Sequence, residues 1–142
     1  MNIQQIEASI IIPILNEEMY IEHTVSSVIS GTKNIENMEL LLVDGGSTDR
    51  TPEILEKLAN ENNFIRILHN EKGAIAPALN LAITESRGEF IVRMDAHAEF
   101  PKNYVNTLID TLKEMPYSKI KPGKFATLYK VKEDKYLFLI LK

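Results

Sequence analysis

The sequence predicts an α/β domain: a Rossmann-like, mainly parallel sheet covered by helices on both faces. Three observations predict it. Short apolar, β-branched runs alternate four times with segments of helical periodicity. The links between them are short, as right-handed crossovers require. The polar stretches ILNEE, DGGSTD, HNEKG and DAHAE each come after one of the runs, and ligands of such sheets gather at the carboxyl ends of the strands.

Ser9 to Pro13 (SIIIP) reads as a buried strand opening into a loop. Asn16 is placed to cap a helix, Glu17 and Glu18 favour its positive end, and Ile21, Val25, Val28 and Ile29 recur at helical spacing until Gly31. Met38 to Val43 (MELLLV) is the second strand, followed by the turn DGGSTD. Thr51 and Pro52 then begin a helix with Ile54, Leu55, Leu58 and Ala59 on one face. Phe64 to Leu68 is the third strand. Ile75, Leu79, Ala82 and Ile83 form the stripe of a third helix, which Gly88 is placed to end. Glu89 to Met94 (EFIVRM) is the fourth strand, and Pro101 opens a helix carrying Val105, Leu108, Ile109 and Leu112.

Composition narrows the classes. A chain of 142 residues, 44% apolar and 25% charged, fits one ordinary globular domain with its own core. A net charge of −4 leaves no basic surface that would make nucleic acid the main partner. The absence of cysteine excludes disulfides, thiolate catalysis and cysteine-based zinc sites, and is compatible with a reducing cytoplasm. The opening MNIQQIEASIIIP lacks the basic region of a secretory signal, and no apolar run reaches the roughly 18 residues of a membrane span. The strand-helix alternation occupies residues 1–116. Residues 117–142 read as a divergent, lysine-rich tail, with one or two short strands around Phe125 to Val131 and Tyr136 to Leu141.

The stretch RMDAHAEFP, Arg93 to Pro101, carries the most chemistry. Asp95 and His97 stand two apart on a chain leaving a strand, so a modest turn brings both to one cavity. They suit a hard divalent cation with positions left open for a diphosphate. Asp95 capping a turn beside a surface histidine is the competing reading, and spacing alone leaves both open. Asp44 to Asp49 reads as a strand-to-helix turn whose Ser47, Thr48 and Asp49 cap the next helix, and it is neither GxGxxG nor a P-loop. Lys72 and Gly73 precede a helix, where a lysine and free N–H groups can meet a phosphate or be merely solvated. His23 and His69 belong to no cluster.

Taken in order, SIIIPILNEEMYIEHTVSSV, LLVDGGSTDRTPEIL and NEKGAIAPALNLAITESRGEFIVRMDAHAEFPKNYV resemble the nucleotide-sugar-binding half of family 2 glycosyltransferases, which have the GT-A fold. VDGGSTD with RMDAHAEFPKNY is most similar to the succinoglycan-biosynthesis type. The resemblance covers residues 8 to about 115, so residues 1–116 are expected to form the nucleotide-sugar-binding domain. It implies that Pro13, Leu15 and Glu17 line the nucleoside pocket. Asp44 and Gly45 match the paired acidic positions that hold uracil or ribose, although the second is glycine here. It places Lys72 and Gly73 in the loop near the nucleotide and Asn80 on the helix behind. It further implies that Asp95 contacts the nucleotide sugar and, with His97, forms a D-x-D-like metal motif for Mg²⁺ or Mn²⁺. The implied activity is transfer, with inversion, of a sugar from a nucleotide-diphosphate donor such as UDP-glucose to a saccharide or lipid-linked acceptor in polysaccharide synthesis. The implied setting is the cytoplasm, at the inner membrane face or with a partner subunit. No general base is identified, because nothing after Pro116 matches the acceptor half. A donor-binding module without turnover is therefore the alternative.

Overall fold

The computed structural model describes residues 4–114 with their side chains, and residues 127–132 and 135–139 as backbone strands. The strands are β1 (Ala8–Ile14), β2 (Glu39–Asp44), β3 (Ile65–His69), β4 (Phe90–Arg93), β5 (Thr127–Lys132) and β6 (Lys135–Leu139). The helices are α1 (Ile21–Gly31), α2 (Thr51–Glu61), α3 (Ile75–Glu85) and α4 (Tyr104–Glu114). They build one sheet of order β3-β2-β1-β4-β6-β5. All neighbours are parallel except β5, which runs antiparallel to β6.

The alternation of side chains along β1 divides the core into two layers. Ile10, Ile12 and Ile14 turn to one face, where they meet Ile21 and Val25 of α1, Leu55 of α2 and Ile109 of α4. Ile11 turns to the other with Leu41, Val43 and Ile91, and is covered by Ala78 and Ala82 of α3. These side chains are essentially removed from water. Each large one contributes about 1.5–3 kcal/mol relative to exposure. Burial on both faces is why the runs are continuous rather than alternating.

After β3 the chain crosses to the far side of β1 to make β4, so strand order reverses between β1 and β4. Such a switch point opens a crevice at the carboxyl edge. Pro13 helps to shape it. The Met94 N–H donates to the Ile11 carbonyl, so that residue turns its backbone groups to β4, whereas Ile14 accepts from the Gly45 N–H on the β2 side. Pro13, two after Ile11, faces the side where β4 has already ended at Arg93. Its missing N–H therefore removes no ladder bond.

At the opposite sheet edge, Glu39 is buried to 2% exposure. Its Oε1 accepts from the Ser9 hydroxyl and the Arg87 N–H, both at 2.6 Å, and its Oε2 from Arg66 Nη1 at 2.9 Å. A buried carboxylate is tolerated because each oxygen is partnered.

Three expected helix boundaries are corrected. Asn16 does not cap α1. It takes a left-handed φ of 52° in a turn, and α1 begins five residues later at Ile21 without a side-chain cap, so Glu17 and Glu18 precede the helix. Pro101 does not open α4, because Asn103, at φ 61°, intervenes before Tyr104. Gly88 does not end α3, which stops at Glu85. Its role is a backbone crossing: a Cβ there would lie 2.3 Å from the Ser9 nitrogen, and the Gly88 N–H donates to Ser9 Oγ at 2.8 Å.

Gly88→Ala must therefore push β1 away from the chain entering β4. The expected loss is about 3 kcal/mol, the upper end for overpacking, read as a lower urea midpoint. An unchanged midpoint contradicts this account of the crossing.

Candidate functional site

The loops after β1 and β2 are tied to each other by five hydrogen bonds. The Asn16 N–H donates to Ser47 Oγ and the Thr48 N–H to Asn16 Oδ1, at 2.9 and 2.8 Å. The Glu17 N–H donates to Thr51 Oγ1 at 2.9 Å, the Glu18 N–H to Asp49 Oδ2 at 3.3 Å, and the Arg50 N–H to Glu18 Oε2 at 2.9 Å. The left-handed turn at Asn16, a conformation asparagine tolerates, aims its amide oxygen across the gap. Ser47, Thr48 and Asp49 thus serve mainly the neighbouring loop. Of the capping expected of them, the contact from the Thr51 N–H to Asp49 Oδ1 at 2.9 Å is present.

The loop after β4 is anchored in the middle. Ala96 is buried, and its carbonyl accepts from the buried Thr24 hydroxyl of α1 at 2.6 Å. A small residue is needed there, and Asp95 and His97 are left on either side of it with exposed side chains. Arg93 Nη2 lies 3.4 Å from Asp95 Oδ1. His97 Nδ1 lies 2.9 Å from Glu17 Oε1, bridging positions 80 residues apart.

These loops enclose a cleft of about 190 Å³ at the carboxyl edge. That is small beside the roughly 300–1,000 Å³ of a typical small-molecule pocket, so it forms part of a binding surface. Pro13, Leu15 and Glu17 line it from β1, Gly45 from β2, and Asp95 and His97 from β4. Gly45 and Gly73 form a floor without side chains, where a Cβ on Gly45 would stand 3.6 Å from the Gly73 Cα. Gly73 has a φ of +65°, which glycine adopts without steric cost. Ala74, Ile75 and Ala78 bring the amino end of α3 to the wall. That end carries no side-chain cap, which leaves helix N–H groups and the positive end of the helix dipole at the cleft.

Two expected residues are placed elsewhere. Asp44, 6% exposed, does not line the cleft. Its Oδ1 accepts from both the N–H and the hydroxyl of Ser47, at 3.1 and 2.6 Å, so it secures the loop that reaches Asn16. Lys72 points to a separate depression on the outer side, shared with Asn80 and His69, while its neighbour Gly73 faces the cleft. His23 does not line the cleft either.

Two polar lining residues escaped the sequence reading. Asn70 binds the Ala74 carbonyl through Nδ2 and the Lys72 N–H through Oδ1, shaping the loop before α3. Arg93 supplies positive charge to the wall. Its position inside an apolar strand was the available signal. Behind the loop, Tyr104 packs against Phe100 in a tilted arrangement, with ring centroids 5.0 Å apart. Its hydroxyl is buried with no hydrogen-bond partner among the described residues. Burial first, then the Asp95 charge, pushes the Tyr104 hydroxyl above its ordinary range, so it remains neutral.

The donor set suits a divalent cation. A carboxylate and an imidazole stand on one short loop, both reachable from the cleft, and few protein ligands are what Mg²⁺ or Mn²⁺ takes when phosphates complete its shell. Among the described residues no group of three or more acidic or histidine side chains is arranged to hold a metal ion.

Fold and cleft together define a GT-A-type domain, an α/β sheet with its ligand crevice at the β1–β4 switch point. Residues 9–136 match the profile of glycosyl transferase family 2, and the chain belongs to that family. It is 35% identical over 107 residues to the glycosyltransferase GlyG of Streptococcus pneumoniae, covering 75% of this chain and 35% of that one. It is 38% identical over 114 residues to the dolichyl N-acetyl-alpha-D-glucosaminyl phosphate 3-beta-D-2,3-diacetamido-2,3-dideoxy-beta-D-glucuronosyltransferase of Methanococcus voltae, covering 76% and 36%. Against the succinoglycan biosynthesis protein ExoA of Rhizobium meliloti the identity is 34% over 103 residues, covering 71% and 31%. The chain thus spans about a third of the length of these curated relatives.

Among solved structures, the mannosyltransferase PcManGT from Pyrobaculum calidifontis, in complex with GDP-Man and Mn²⁺, superposes with a TM-score of 0.67. The identity is 26%, covering 84% of this chain and 34% of that one. S. aureus TarS 1-349 with UDP-GlcNAc, at 23% identity, shares the fold with a TM-score of 0.67, covering 90% and 41%. No helix among the described residues is long and apolar enough to cross a membrane.

The clasp between the first two loops makes stability depend on acid. Burial opposes ionisation of Asp49, but hydrogen bonds from the Thr51 hydroxyl and N–H and from the Glu18 N–H outweigh it, holding the carboxyl below its ordinary 3.8. A lowered folded-state pKa adds stability that is present above the unfolded value and is lost as pH falls through the folded one. Asp49→Asn is expected to flatten the loss of urea midpoint below about pH 4. An unaltered acid slope contradicts the clasp.

Proposed function

We propose that this chain is the donor-binding part of an inverting glycosyltransferase, which takes a sugar from a nucleotide-diphosphate donor, a UDP-sugar foremost, to a saccharide or lipid-linked acceptor. The observation that carries the reading is the cleft itself. An apolar, side-chain-free floor for a flat nucleoside lies beside a rim bearing Asp95, His97, Arg93 and the amino end of α3. That rim is suited to a diphosphate.

In this reading Pro13, Leu15, Gly45 and Gly73 form the surface on which the nucleoside rests. Asp95 and His97 hold Mg²⁺ or Mn²⁺. The bound cation supplies Lewis-acid neutralisation of the departing diphosphate. The Arg93 guanidinium and the α3 dipole add positive charge at the same edge. The acceptor hydroxyl forms a bond to the anomeric carbon while the bond to the diphosphate oxygen breaks, and the nucleoside diphosphate leaves. The hydroxyl proton passes to a carboxylate base outside the described residues. A place on the inner face of the membrane, near a lipid-linked acceptor, belongs to the same proposal.

Calorimetry with UDP-glucose and UDP-GlcNAc tests it. Binding is expected with Mn²⁺ present, weakened at least about tenfold without the metal or in Asp95→Ala, the usual scale for losing a metal ligand's support. If no nucleotide sugar binds, or if Asp95→Ala binds as tightly, the proposal falls. Binding without transfer to a broad acceptor panel favours a donor-binding module that lacks turnover.

A further inference from the structure

The contact between Glu17 and His97 joins the loop after β1 to the loop after β4 across the cleft mouth, and it fixes more than their spacing. A carboxylate can only accept, so at 2.9 Å His97 Nδ1 must be the nitrogen that carries the proton. The neutral ring then keeps its lone pair on Nε2. The Glu17 side chain is only 17% exposed, against 61% for His97. Its backbone is doubly held: the N–H is bound to Thr51 Oγ1, and the carbonyl accepts from the N–H groups of Tyr20 and Ile21. The acceptor is thus rigid, and the imidazole is the movable partner.

We propose that Glu17 is a positioning residue for His97: it selects the tautomer with Nε2 free and aims that nitrogen as a cation ligand, rather than contacting the nucleoside itself. This is the carboxylate–histidine–metal arrangement in which a second carboxylate orients the ring and raises its basicity. The inference rests on the proposed metal role of His97 and adds a residue from another loop to it. Through the clasp, the loop after β2 also takes part, because it fixes the backbone from which Glu17 projects.

The test begins on the full chain without metal. Long-range ¹H–¹⁵N correlation of the imidazoles at about pH 8, above the ordinary histidine range, is expected to show His97 with the proton on Nδ1. Glu17→Ala is expected to move it toward the commoner Nε2–H form. Glu17→Gln, whose amide oxygen still accepts, is expected to retain the Nδ1–H form. Titration of Mn²⁺ in the presence of UDP is then expected to show affinity lower by about 10- to 100-fold in Glu17→Ala. Glu17→Gln should recover most of it. The same tautomer in the native chain and Glu17→Ala overturns the proposal, as does equal loss in Gln and Ala. A normal tautomer pattern combined with unchanged Mn²⁺ affinity in His97→Ala instead removes the metal role beneath it, and the two failures are read separately.

Discussion

The clasp between the loops after β1 and β2 is the constraint on which the geometry of the site depends. Backbone N–H groups of Asn16, Glu17 and Glu18 are all spent on side chains of Ser47, Thr51 and Asp49, and the return bonds come from Thr48 and Arg50. Loops ordinarily find such partners within themselves or in water. Here the two are locked together, which holds the chain between β1 and α1 in a turn rather than letting the helix begin at Asn16. Glu17 is held in that turn, facing the loop after β4.

Around this fixed pair, the rest of the cleft is set by how closely the loops can approach. Gly45 and Gly73 lie so close that a Cβ on either would touch the other's backbone, and the positive φ of Gly73 turns the chain into α3 with its amino end at the wall. The loop after β4 is pinned by Ala96 against α1, so its two polar neighbours project together. A sheet buried on both faces cannot place charge within its layers without cost. The buried carboxylate Glu39 is therefore fully partnered at one edge, and the exposed polar side chains Asp95 and His97 collect at the other.

The sequence shows the fold far more plainly than the site. Ile10 to Ile12, Leu40 to Val43 and Phe90 to Val92 are legible because two-faced burial leaves an unbroken apolar run, and the alternation of runs with helical stripes fixes their parallel order. Ordered motifs at the carboxyl ends placed Pro13, Leu15, Glu17, Gly45, Asp95 and His97 in one cleft. What stayed hidden was every contact between distant loops. Asn16 followed by two glutamates looks like a helix start, and only its partner 32 residues away, Thr48, shows otherwise. Gly88 looks like a helix stop, because nothing local reveals that β1 passes against it. Asp44 looks like a ligand carboxylate, and its service to Ser47 depends on which way the turn folds.

The central claim is that the carboxyl edge holds a cation between Asp95 and His97 for a nucleoside diphosphate. Crystals of the full chain grown with UDP and Mn²⁺ test it most directly through the anomalous scattering of manganese. The account predicts one peak in contact with an Asp95 carboxylate oxygen and with His97 Nε2, the Nδ1 side of the ring still on Glu17, and diphosphate oxygens completing the shell. A peak elsewhere, or UDP bound in the cleft with manganese in the medium and no peak at the loop after β4, would contradict it.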